Sequence, residues 1–120
     1  TSPAGKAAMA NASGADYFPS IHRNSSPYDN QYTGVESLVY SKNGIARTIA
    51  ENINRELTRV GFVNQGIEER PKLAVLRRTD MPAVLVEVGF INTDKDNIRF
   101  DTQFQEIARA IANGLLKSIS

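Results

Sequence analysis

The run Ala83-Val84-Leu85-Val86-Glu87-Val88-Gly89-Phe90 constrains this chain more than any other segment, because it sets a single carboxylate inside a strand-like apolar stretch. Gly89 and Asn92 end the run in a turn, which puts Glu87 near a strand's carboxyl end. Open α/β sheets gather their ligands there. A carboxylate amid β-branched residues also loses hydration, which raises its pKa and suits it to carrying a proton near neutral pH. The competing reading sets Glu87 on the solvated face of an edge strand, since perturbed carboxylates mark functional sites only statistically. The carboxyl-end position favours function.

The remaining pattern alternates strands with helices. Residues 4–12 are alanine-rich and fit a short helix closed by Ser13-Gly14. Residues 15–22 have strand composition, and Pro19, which cannot donate a ladder hydrogen bond, argues for an edge or a bulge. Residues 23–33 form a turn-rich polar loop carrying Tyr28 and Tyr32, and residues 34–40 alternate as a second strand with Glu36 on its outward face.

Ile45, Ile49, Ile53, Leu57 and Val60 predict an amphipathic helix that stops before Gly61. Residues 62–72 read as polar and irregular, and residues 73–76 as a short strand. Thr93 with Asp96 resembles a capping box opening a short helix towards Phe100, and Thr102 with Gln105 repeats the device. Phe104, Ile107, Ala108, Ile111, Ala112, Leu115 and Ile119 form the apolar stripe of a closing helix. The fold class that follows is α/β, a mostly parallel sheet flanked by helices.

A chain of 120 residues is one domain by length and buries a core without staples. With 14 basic and 13 acidic residues it has no electrostatic footprint for nucleic acid, and its longest apolar stretch is far too short for membrane insertion. The absence of cysteine removes disulfides, thiolate catalysis and cysteine metal sites. Thr1-Ser2-Pro3-Ala4-Gly5-Lys6 lacks the layout of a secretory signal, so any export signal is expected outside these residues.

His22, the only histidine, stands at the end of an apolar strand beside the polar loop, in a position parallel to that of Glu87. A lone histidine is more often a structural hydrogen-bonder than a ligand. If the two strands are neighbours, however, His22 and Glu87 meet in one crevice, and a metal ligand paired with an acid–base carboxylate is the chemistry such a pair offers. The sequence has no Gly-rich phosphate loop, nucleophile elbow or His-Glu-x-x-His helix. Arg77-Arg78 reads as a solvated loop end that could also bind an anion, and the two loop tyrosines as either groove lining or ordinary packing.

Four segments in order, residues 15–24, Gly34-Val35-Glu36, Val75-Leu76-Arg77 and residues 81–92, followed by the closing helix, resemble zinc-dependent N-acetylmuramoyl-L-alanine amidases. The resemblance runs from about Ala7 to Leu116. It implies hydrolysis of the amide between the lactyl group of N-acetylmuramic acid and the first L-alanine of the stem peptide. Peptidoglycan is then the partner, zinc the cofactor, and the extracellular space or cell wall the location.

By the same resemblance His22 binds zinc and Glu87 is the catalytic acid–base. The family's two further zinc ligands, a histidine in a Gly-His-Gly turn and a helical glutamate, have no counterpart here. Residues 1–120 are therefore expected to be the C-terminal portion of an amidase catalytic domain, with a sheet incomplete at its N-terminal side. One histidine does not make a catalytic zinc site, which normally uses three protein ligands. Two alternatives compete with the amidase reading: a non-catalytic cell-wall-binding or regulatory module that kept the fold without the metal, and an unrelated α/β binding domain.

Overall fold

A computed structural model describes residues 2–119; Thr1 and Ser120, the two ends of the expected domain, lie outside the described residues. The elements in chain order are α1 (Pro3–Ser13), β1 (Phe18–Asn24), β2 (Val35–Val39), α2 (Ile45–Val60), β3 (Asn64–Glu69), α3 (Ala74–Arg77), β4 (Ala83–Phe90), α4 (Asp94–Thr102) and α5 (Phe104–Ile119). The strands form one sheet in the order β1-β4-β2-β3. β1 runs parallel to β4, β3 parallel to β2, and β2 antiparallel to β4, so the sheet is mostly parallel as expected.

Alternate residues of β4 divide the core, because successive side chains point to opposite faces of a sheet. Val84, Val86 and Val88 join Val35 and Val39 of β2 in the larger cluster, under Ile49, Ile53 and Leu57 of α2 and Ile107 and Ile111 of α5. Ala83 and Leu85 face the other way and meet Leu38, Val75 and Leu76 in a smaller cluster under α3. The two long helices approach closely: a Cβ added at Gly114 would lie 2.6 Å from the Ile53 Cα. Glu56, buried in α2, ties them further through Lys117 of α5 at 3.1 Å, and pairs within its own helix with Arg59 at 3.0 Å.

α1 and α2 form where the pattern placed them, α1 with Ser2 Oγ accepting from Gly5 N and Gly14 in the left-handed region at φ 71°. Pro19 does lie in an edge strand. Phe18 N donates to Pro82 O at 3.0 Å, so the ladder side of Phe18 faces β4 and Pro19, one residue on, turns its nitrogen to the open side.

Four expectations are corrected. The polar residues 62–72 contain β3, an edge strand with Ile67 as its contact to the larger cluster, so no apolar alternation announces it. Buried Asn54 of α2 holds it instead, accepting from Ser37 Oγ at 2.7 Å and donating to Asn64 Oδ1 at 3.0 Å and Gly66 O at 2.9 Å. Residues 73–76 make a helical turn, not a strand: Leu73 O accepts from Leu76 N and Arg77 N. An apolar run this short has no periodicity to separate the two states.

Neither capping box forms. Thr93 Oγ1 donates to Tyr32 O, and fully buried Asp96 accepts from Thr33 Oγ1 at 2.6 Å, Gly34 N at 3.0 Å and Phe90 N at 2.9 Å. Thr102 Oγ1 bonds back to Ile98 O within α4. The stripe of α5 is also shifted, with Ile107, Ala110, Ile111 and Gly114 turned inward and Phe104, Ala108, Ala112 and Ile119 exposed.

Candidate active site

β1 and β4 are neighbours, and His22 is the register partner of Glu87. On the other side of β4, Glu87 is the register partner of Glu36 in β2. Register partners project to the same face from strands about 4.8 Å apart. His22, Glu87 and Glu36 therefore form a polar row across three strands, at the carboxyl ends of β1 and β4 and on the face of the smaller cluster. Glu68 of β3 extends the row, since it pairs with Leu38, two residues beyond Glu36 on the same face.

The row is a set of carboxylates held close in a half-buried setting. Glu87 stands in the inner strand of the sheet rather than on a solvated edge, and its pKa is pushed up to about 7. Burial is the main cause; the charge of Glu36 and a hydrogen bond with it come next, with Arg70 opposing and Glu68 adding a little. Glu36 is raised as well, first by burial and then by the charge of Glu68, while its bond to Glu87 pulls it down. The hydrogen bond between the two carboxyls thus acts in opposite senses, raising Glu87 and lowering Glu36. Asn24 Nδ2 reaches Glu87 Oε1 at 3.3 Å, and Arg70 pairs with Glu68 at 2.8 Å.

His22 Nε2 lies 2.9 Å from Ser20 Oγ, the residue before it on the same face of β1. Burial lowers its pKa, and Lys6 lowers it further. Both effects favour the neutral imidazole, the state in which a ring nitrogen offers a lone pair to a proton or a metal.

The polar loop is anchored beside the row by Asn92, whose Nδ2 donates to Ser26 O at 2.8 Å while its Oδ1 accepts from Ser26 N at 3.1 Å. Tyr32 packs its ring against Phe90, and Tyr28 is exposed. Arg77 and Arg78 end α3, exposed, with the Arg78 carbonyl bonded by Asn11.

Sequence reading missed the contributions of Glu36, Glu68 and Arg70. Glu36 had a signal, since a carboxylate in an alternating strand acquires meaning once that strand pairs with the one carrying Glu87. Glu68 and Arg70 had none, because their strand itself was not visible.

Among the described residues no group of three or more His, Asp or Glu side chains is placed to hold a metal ion. His22 fits one ligand of a zinc site; the described residues do not fit a complete one.

The fold is that of an α/β protein in which half-buried Glu87 and His22 stand in register near the carboxyl ends of two paired parallel strands. The profile of N-acetylmuramoyl-L-alanine amidases matches residues 1–117, and the chain belongs to that family. It is 39% identical over 110 residues to a sporulation-specific N-acetylmuramoyl-L-alanine amidase of Bacillus subtilis (strain 168), covering 88% of this chain and 41% of that protein. It is 37% identical over 115 residues to the N-acetylmuramoyl-L-alanine amidase CwlM of Bacillus licheniformis, covering 92% and 44% respectively.

The crystal structure of an N-acetylmuramoyl-L-alanine amidase from Clostridium difficile 630 superposes with a TM-score of 0.89 at 30% identity, over 99% of this chain and 66% of that one. The chain thus spans under half the length of those two Bacillus relatives.

Proposed function

We propose that this chain carries the acid–base half of a peptidoglycan amidase site, in a protein that hydrolyses the amide between N-acetylmuramic acid and L-alanine. The observation that carries this reading is the registered row of His22, Glu87 and Glu36. Membership of the amidase family supports it. Water adds across the amide: its oxygen goes to the lactyl carbonyl carbon and the C–N bond breaks. Glu87 takes the proton of the attacking water and returns it to the leaving alanine nitrogen, a task for which a pKa of about 7 is suited. Glu36 holds that pKa up through its adjacent charge.

Zinc belongs to this reading, with His22 as one ligand. Ser20 bonded to the imidazole fixes the ring's orientation, as partners of ligating histidines do. A wall substrate would put the proposed activity outside the cell or in the wall, and no helix among the described residues is long and apolar enough to cross a membrane.

The test combines metal content with product analysis. The intact amidase that joins this chain to the remaining zinc ligands, incubated with wall fragments, should free stem peptides with a new alanine amino terminus, and should carry zinc that is lost in His22→Ala and kept in Glu87→Gln. Absence of both zinc and released peptide would overturn the proposal.

A further inference from the structure

The end of β1 is fastened to β4 at a bulge. His22 pairs with Glu87 and Asn24 with Phe90, so Arg23 of β1 lies opposite two residues of β4, Val88 and Gly89. Gly89 takes φ 75°, and a Cβ there would lie 2.9 Å from the Asp96 Cβ. Arg23 Nε donates to Val88 O at 2.7 Å within the bulge, and Ile91 N donates to Asn24 O at 2.7 Å just beyond it. Bulges beside functional sites re-aim side chains, and the side chain held at this one is Asn24.

Asn24 is half-buried, on the face of β1 that carries His22. Its Oδ1 accepts from Ser25 N at 2.8 Å, an N–H that only the carbonyl end of the amide can serve. That bond settles which way the amide is turned: Nδ2 faces Glu87 and donates to its Oε1 at 3.3 Å. From the other neighbouring strand, Glu36 bonds to the same carboxyl. The two contacts differ in kind. A bond between two carboxyls needs a proton on one of them and is gone once both are ionised, whereas an amide N–H donates to a carboxyl in either state.

We propose that Asn24 is a positioning residue of the acid–base site, whose side-chain amide holds the Glu87 carboxyl in place while Glu87 is ionised and ready to take a proton. The inference rests on the amidase reading above and adds a part to its machinery.

An acid–base that alternates between two protonation states loses its bond to Glu36 at the moment it must be aimed at a water molecule. Asn24, pinned at its backbone carbonyl by Ile91 and at Oδ1 by Ser25, keeps its donor in place throughout. A supporting group of this kind fixes the rotamer of the reacting side chain, and its loss costs rate rather than substrate affinity.

Two replacements separate this role from loop building. Asn24→Asp keeps the shape of the side chain and the acceptor for Ser25 N but has no amide donor, and Asn24→Ala loses both. In the intact amidase, each should lower kcat at its high-pH plateau by about tenfold, the size of one long hydrogen bond to a charged group, with KM changed by less than about twofold. On that plateau Glu87 is ionised in every variant, so the charge added by Asn24→Asp does not decide the rate. Zinc content should be unchanged, and Asn24→Asp should unfold at the same temperature as the parent. Without turnover, the side-chain amide protons of Asn24 should move upfield in Glu87→Ala, which removes their acceptor. Unmoved amide protons, an unimpaired plateau in Asn24→Asp, or a rate loss matched by a fall in thermal midpoint would each overturn the proposal. If Glu87→Gln hydrolyses wall fragments at the parent rate, the amidase reading fails and takes the proposal with it; if Glu87→Gln is inactive and Asn24→Asp is unimpaired, the proposal falls alone.

Discussion

The two faces of the sheet are built from the same strands and do different work. On one, Val84, Val86 and Val88 disappear beneath α2 and α5, close enough for Gly114 to rest on the Ile53 backbone. On the other, the same β4 presents Ala83, Leu85 and then Glu87, with a smaller cluster giving way to His22 and Glu36 towards the carboxyl ends of β1 and β4. The first face removes apolar area from water and drives folding. The second spends part of its length on carboxylates that repel one another, and it tolerates them because β4 is already fixed from behind. A strand fastened on one side is what lets a proton-carrying group sit half-dry on the other.

That contrast can be broken from either side. The largest expected effect is chemical: Glu87→Gln should lower peptidoglycan hydrolysis by about a hundredfold to ten-thousandfold, the range of a lost general acid–base. Its thermal midpoint at pH 8 should not fall, and a folded-state loss alongside the activity loss would show that the second face is structural after all. On the first face, Gly114→Val should do the reverse. Its Cβ would lie 2.6 Å from Ile53 Cα, so the helices must part, at about 3 kcal/mol in urea unfolding.

Asp96→Ala should cost about 2 kcal/mol by the same measurement, because it strands the buried Gly34 and Phe90 amides at the end of the sheet where the two faces meet. If Asp96→Ala proves neutral, the link from α4 back to β2 and β4 carries no weight.

The smallest effects concern pH. As the proposed base Glu87 would act only when ionised, so activity should rise with pH through about 7. Glu36→Gln removes the neighbouring charge that raises Glu87, and the rising limb of the kcat profile should move to lower pH by less than about one unit. Stability should run the other way. Both carboxyls are raised in the fold, so their contribution is fully present below their unfolded value near 4.5 and is lost as pH rises, for Glu87 through about 7. Thermal scans between pH 5 and 8 should therefore show a decline that Glu87→Gln flattens; an unchanged slope would mean that Glu87 titrates as a solvated carboxylate.

Legibility followed how strongly a segment's own periodicity reports its surroundings. β4 and α2 were readable because an apolar run or a stripe at steps of three and four has one good burial solution, and α1 because alanine favours helix and Ser13-Gly14 stops it. β3 was not: its residues are polar, and its strand form depends on β2 alongside and on Asn54 reaching across from α2. The capping boxes misled for a related reason, since Asp96 is drawn away from its own helix by the Gly34 and Phe90 amides. No local pattern encodes that pull.

For the site, the sequence by itself singled out the residues proposed to carry chemistry: a lone histidine and an acid in an apolar run, each near the end of its strand. It determined the fold class too, because burial periodicity is a property of consecutive residues. Only the tertiary structure decided that β1 lies directly beside β4, so that His22 and Glu87 share a register, and that β2 runs antiparallel on the other side to bring Glu36 against Glu87. Strand order and register are set by contacts between segments far apart in the chain, and the pKa that makes Glu87 useful arises from those contacts.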